Sequence, residues 1–109
     1  MSTLSTHILD ISTGRPAQGV KVVLEREGAL IARGATDENG RIGELGAGPL
    51  APGRYRLSAE IGEWFTASGR ETLYLSAQID FAIREAPGGH YHLPFLIAPG
   101  KYADRKSVV

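Results

Sequence analysis

Apolar residues in this chain recur at every second position in short runs, and each run is closed by glycine, proline, asparagine or aspartate. Successive side chains of a strand point to opposite faces, so this pattern describes strands with one face buried. It does not describe amphipathic helices, whose apolar positions repeat every three or four residues. Leu4, Thr6 and Ile8 alternate with Ser5, His7 and Leu9 in the first run, and Val20, Val22 and Leu24 face away from Lys21 and Glu25 in the second. Leu30 to Ala35 forms a third. Tyr55, Leu57, Ala59 and Ile61 alternate with Arg54, Arg56, Ser58 and Glu60, a later run carries Ile79, Phe81 and Ile83, and Tyr91, Leu93, Phe95 and Ile97 oppose His90, His92, Pro94 and Leu96.

The interruptions are as informative as the runs. Asp10 to Gly19, with Pro16 inside it, reads as a connection, and Asn39-Gly40 supplies the positive φ angles of a tight turn. Residues 43 to 53 hold too many glycines and prolines for regular structure and read as a loop. Glu63 to Glu71 loses the alternation and is assigned one short helix, and Ala86-Pro87-Gly88-Gly89 turns the chain before the last run. Pro94 has no N–H for a ladder, so its strand belongs at an edge or carries a bulge. Seven or so short strands spaced by roughly 8–12 residues fit a sandwich or a barrel, and the sandwich is preferred. One all-β domain over residues 1–109 is expected, since nothing in the chain resembles a repeat or a linker.

Composition narrows the function. Twelve Lys plus Arg balance twelve Asp plus Glu, leaving no basic excess for phosphates, and a nucleic-acid partner is not expected. No cysteine is present, which excludes a disulfide framework, a thiolate nucleophile and any Cys-based zinc site. No apolar run approaches the roughly 20 residues of a membrane helix, and MSTLSTHILD lacks the layout of a secretory signal, so a cytoplasmic protein without a membrane partner is expected.

The candidate chemistry lies in His7, Arg41, His90 and His92. Residues two apart on a strand point the same way about 7 Å apart, so His90 and His92 can serve one site. A His-x-His strand can also bind zinc, and an isolated strand histidine is often no more than a hydrogen-bonded surface residue. Arg41, directly after the Asn39-Gly40 turn, is in a common place for an arginine with no task. Arg54 and Arg56 read as solvated, and Trp64-Phe65 as core or interface anchors. Neither a nucleophile elbow nor a phosphate-binding glycine loop is present.

Taken in order, Leu4-Ser5-Thr6-His7-Ile8-Leu9-Asp10, Thr13-Gly14-Arg15-Pro16-Ala17, Thr36-Asp37-Glu38-Asn39-Gly40-Arg41 and His90-Tyr91-His92-Leu93-Pro94-Phe95-Leu96-Ile97-Ala98-Pro99 resemble the transthyretin-related 5-hydroxyisourate hydrolases. The likeness runs from about residue 4 to 102, and Tyr55-Arg56-Leu57 and Trp64-Phe65 fall where that family keeps a strand and an aromatic pair. It implies a transthyretin-like two-sheet antiparallel sandwich of seven to eight strands with one short helix. It also implies a homotetramer, a dimer of dimers, whose channel holds sites for a small-molecule substrate. Where the related hormone carrier holds Lys and Glu, this chain keeps the enzyme-like His7 and Arg41. By resemblance His7, Arg41 and His92 match the catalytic positions, with His90 beside them as a substrate-binding residue. The activity implied is opening of the 5-hydroxyisourate ring in urate catabolism, with no cofactor. The alternatives are a non-catalytic small-ligand carrier and a hydrolase of another cyclic amide or lactone.

The tail departs from the family pattern. The family closes on a Tyr-Arg-Gly-Ser tetrapeptide at the site, whereas here Arg105 and Lys106 stand at the places of its Tyr and Arg. Ser107 reaches the place of its final Ser with a one-residue slip. Arg105, Lys106 and Ser107 are accordingly expected to contribute to substrate binding. Leu73-Tyr74-Leu75-Ser76 replaces the family's Phe-Pro-Glu-like segment.

Overall fold

The computed structural model describes residues 2–46, 48–85 and 88–100. Eight strands and one helix occur among them, in the order β1 (Ser2–Asp10), β2 (Arg15–Pro16), β3 (Lys21–Arg26), β4 (Ala29–Ala35), β5 (Arg41–Ile42), β6 (Gly53–Ala59), α1 (Ile61–Ala67), β7 (Ala77–Ile83) and β8 (Gly89–Ile97). The strands form two sheets. In the first, β1 is central, with β2 and β5 paired to it and β8 alongside it; the second runs β4-β3-β6-β7. This is the two-sheet all-β sandwich with one short helix that was expected.

The alternation explains which faces meet. Leu4 and Ile8 of β1, Val22 and Leu24 of β3 and Leu57 of β6 have no exposed surface, and Phe95 of β8 is nearly as buried. Their neighbours on the same strands, His90, His92, Arg54 and Arg56 among them, turn outward. At about 25 cal/mol per Å² of apolar surface, this inter-sheet layer is the main stabilising element.

Each β pairing is antiparallel except β1–β8, which is parallel from Ser2 opposite Gly89 to Asp10 opposite Ile97. Alternation carries no strand direction, so that exception had no signature. Pro94 lies on β8, which among the described residues pairs only with β1, and this matches its predicted edge position. β2, inside the segment read as a connection, and β5, directly after the Asn39-Gly40 turn, are two-residue strands added to β1.

The helix begins earlier than expected. The β3–β6 ladder ends at Val22 opposite Ala59, and Ile61, expected on that strand, opens α1 instead. Gly62 permits this: its N–H donates to the Leu75 carbonyl at 3.0 Å, and a Cβ there would lie 2.5 Å from the Tyr74 carbonyl oxygen. Gly69, at φ 80°, follows the helix, which stops at Ala67 rather than reaching Glu71.

Candidate active site

Arg41 is placed by a turn held from both sides. Asp37 caps it, its carboxylate accepting from the N–H groups of Asn39 and Arg41 at 2.9 Å each. Gly40 alone takes the positive φ, 74°, that the Asn-Gly pair was expected to share. The Ile8 N–H donates to the Gly40 carbonyl at 2.7 Å, and a Cβ on residue 40 would lie 2.5 Å from the Ile8 carbonyl oxygen. Only glycine fits where the turn presses on β1. The consequence is a register: Arg41 pairs with His7 and Ile42 with Thr6.

The β1–β8 register supplies the rest. Thr3 lies opposite His90, Ser5 opposite His92 and His7 opposite Pro94. Directly paired residues share a face, so Arg41, His7, Ser5, Thr3, His92 and His90 all stand on the outer face of the first sheet. His7 is half-buried, and Arg41, His90 and His92 are exposed. The four residues singled out from the sequence are thus brought together, although β1, β5 and β8 are far apart in the chain.

Two residues on this face were missed. The Ser5 hydroxyl, nearly buried beneath the rings, is hydrogen-bonded to His92 Nδ1 at 2.7 Å and to His90 Nε2 at 2.8 Å. Thr3 Oγ1 is hydrogen-bonded to His90 Nδ1 at 2.6 Å. Both ring nitrogens of His90 are therefore engaged, while His92 Nε2 has no hydrogen-bond partner among the described residues. The available signal was that Thr3 and Ser5 occupy the same polar face as His7, four and two residues before it. The Arg41 guanidinium makes no ion pair among the described residues, whose three ion pairs are Lys21–Glu63, Arg56–Asp80 and Arg70–Asp10. No group of three or more His, Cys, Asp or Glu that could hold a metal ion comes together among the described residues. Arg105, Lys106 and Ser107 lie outside the described residues.

The other cations serve elsewhere. Arg56, expected to be solvated, bridges β6 to β7 through Asp80 at 2.8 Å, and each group shifts the other toward its charged form, the arginine upward and the aspartate downward. Trp64 and Phe65 do anchor α1: Phe65 is fully buried, and the Trp64 indole N–H donates to the Gln18 carbonyl at 2.7 Å. Concavities of about 590 Å³ beside Arg56 and about 630 Å³ beside α1 are lined by none of His7, Arg41, His90 and His92.

Residues 4–106 match the model of the HIUase/Transthyretin family. The chain belongs to that family. A 5-hydroxyisourate hydrolase of Caulobacter vibrioides is 40% identical over 111 residues, covering 94% of this chain and 96% of its own. The solved structure of Klebsiella pneumoniae 5-hydroxyisourate hydrolase superposes with a TM-score of 0.86 at 58% identity, covering 94% of this chain and 95% of that one. Transthyretin from Sparus aurata also superposes, with a TM-score of 0.81 at 28% identity over 92% of this chain and 91% of its own. HIUase/Transthyretin membership thus spans proteins named as enzymes and proteins named as transthyretins, and the residues on the outer face of the first sheet have to decide between them.

Proposed function

We propose that this HIUase/Transthyretin-family chain is a hydrolase that opens the ring of 5-hydroxyisourate in urate catabolism. The observation that carries the reading is the shared face on which Arg41 stands opposite His7 while His92, bonded through Nδ1 to Ser5, stands on the neighbouring strand. An imidazole, with an ordinary pKa of about 6.5, can take a proton from water near neutral pH. Water then adds to a ring carbonyl carbon, charge builds on the carbonyl oxygen, and the ring C–N bond breaks. The freed nitrogen recovers the proton. His92 or His7 is the base, and Arg41 holds the oxyanion, a contribution of about 10²–10³ in rate for one donor. Arg105, Lys106 and Ser107 are assigned to substrate binding on the resemblance alone, and neither step calls on a cofactor.

The same reading takes the active protein to be a cytoplasmic homotetramer of one-domain chains, arranged as a dimer of dimers. A catalytic face on the outer side of a sheet is walled by a second protomer, which keeps out bulk solvent while leaving the attacking water in place. Freshly generated 5-hydroxyisourate, followed by its ultraviolet decay, tests the activity at micromolar protein. Acceleration is expected. Tight binding of a uric-acid-like ring with no hydrolysis would replace the enzyme by a carrier, and light scattering that finds only monomers would remove the closed cleft.

A further inference from the structure

A serine hydroxyl has one proton and two lone pairs, so between two neutral imidazoles it can donate to one ring and must accept from the other. Ser5 is in that position, 2.7 Å from His92 Nδ1 and 2.8 Å from His90 Nε2. The string continues through His90 Nδ1 to Thr3 Oγ1 at 2.6 Å. Thr3, His90, Ser5 and His92 therefore form one chain of hydrogen bonds with two possible directions. If donation runs from Thr3 toward His92, Nδ1 of His92 is bare and the proton sits on Nε2, which cannot then accept one. If it runs from His92 toward Thr3, Nδ1 carries the proton and Nε2 presents a lone pair.

The second direction is the one compatible with a base. When Nε2 takes a proton, His92 becomes an imidazolium that donates through both nitrogens, and the bond from Nδ1–H to Ser5 stays as it was. No hydroxyl has to rotate during the proton transfer, which is the condition for low reorganisation in a fixed polar site. In the first direction the whole string would have to reverse. Burial adds to the argument: Ser5 is 8% exposed, so water competes poorly for its hydroxyl and the two rings are its partners.

We propose that Ser5 is a positioning residue that, with His90 and Thr3 behind it, holds His92 in the Nδ1–H tautomer and aims its Nε2 at the attacking water. This rests on the reading of His92 as the base and adds to it the device that readies that base. His90 acts on the reaction through Ser5, since its own nitrogens are both engaged.

The test uses the assembled protein and two readouts. In the hydrolysis assay, Ser5→Ala is expected to lower kcat at least about tenfold, a part of the roughly 10²–10⁴ that general-base assistance contributes, with KM changed less than about twofold. Ser5→Thr restores most of the loss, and Ser5→Ala combined with His90→Ala is no slower than Ser5→Ala alone. Independently of activity, ¹⁵N spectra of the histidine rings at a pH of about 8, above the ordinary imidazole value, are expected to show His92 protonated on Nδ1 and a mixture of tautomers in Ser5→Ala. A wild type protonated on Nε2 overturns the proposal, as does Ser5→Ala with kcat within twofold of an active wild type. A wild type that never accelerates hydrolysis overturns the enzyme reading instead, and the ring spectra still decide the direction of the string. Circular dichroism and light scattering confirm that each variant is folded and assembled.

Discussion

Removing Arg70 is expected to destabilise the protein severely and in a pH-dependent way. Asp10, at the end of β1, is 1% exposed and keeps its charge through three donors: the Ser12 N–H at 2.9 Å, the Ser12 hydroxyl at 2.5 Å and Arg70 Nη2 at 2.7 Å. Burial pushes this carboxyl up, but the Ser12 and Arg70 bonds outweigh it and hold the group below the ordinary 3.8. Arg70→Ala leaves a buried charge with Ser12 alone. Breaking a fully buried pair this way costs about 3–5 kcal/mol, and because the Arg70 side chain is 31% exposed the cost is screened to the bottom of that range or below it, about 2–3 kcal/mol. The guanidinium also lies 4.9 Å from the Phe65 ring centroid and 5.6 Å from that of Trp64, a contact worth about 0.5–1 kcal/mol. At roughly 4–8 °C per kcal/mol for a domain this size, Tm falls by at least about 10 °C at fixed protein concentration. A lowered folded pKa means the stabilisation is present above the unfolded value and is lost as pH falls through the folded one. Protonating Asp10 also removes the unpaired charge of the variant. The Tm gap between wild type and Arg70→Ala should accordingly narrow as the pH drops below about 3.8. Calorimetry from pH 7 to pH 3 measures it, and a gap that is small at pH 7, or constant across the range, would refute the account.

The remaining predictions concern the site and its supports. His92→Ala and Arg41→Ala should each slow 5-hydroxyisourate hydrolysis at least about tenfold with the assembly intact by light scattering, each removing a group with a typical contribution of 10² or more; wild-type rates in both would end the site assignment. Gly40→Ala should lower Tm, because φ 74° and a carbonyl 2.5 Å from the new Cβ leave no room, and should reduce kcat because Arg41 is one residue away. Phe65→Ala should cost about 3–5 kcal/mol in denaturant unfolding, the usual range for a fully buried aromatic. Arg56→Ala, which breaks an exposed ion pair, should leave Tm unchanged.

The architecture was legible wherever one face of a segment is buried. Val20, Val22 and Leu24, or Tyr55, Leu57 and Ala59, must all reach the core together, and that requirement writes period two into the chain. Elements that bury no such row left no pattern. Arg15–Pro16 and Arg41–Ile42 are too short for any period and exist because β1 offers them hydrogen-bonding edges. The helix boundary was displaced because Ile61 is apolar in either setting, and the choice is made by Gly62 against the carbonyls of Tyr74 and Leu75.

For the site, residue type was legible and arrangement was not. Histidines at 7, 90 and 92 fall on outward positions by parity alone, but whether β1 and β8 are neighbours depends on pairing between residues more than 80 apart. Ordered resemblance supplied that link, and with it the assignment of Arg41, which composition would have left as an idle turn arginine. Ser5 and Thr3 escaped notice because a small hydroxyl on a strand face has no distinguishing spacing; it becomes informative only when two imidazoles from another strand close over it. The same holds for Asp10 and Arg70, sixty residues apart, where nothing local marks the aspartate as buried. Groups whose meaning depends on a single distant partner are where local sequence patterns stop, and in this fold those groups set both the ring orientation of His92 and the attachment of α1 to the end of β1.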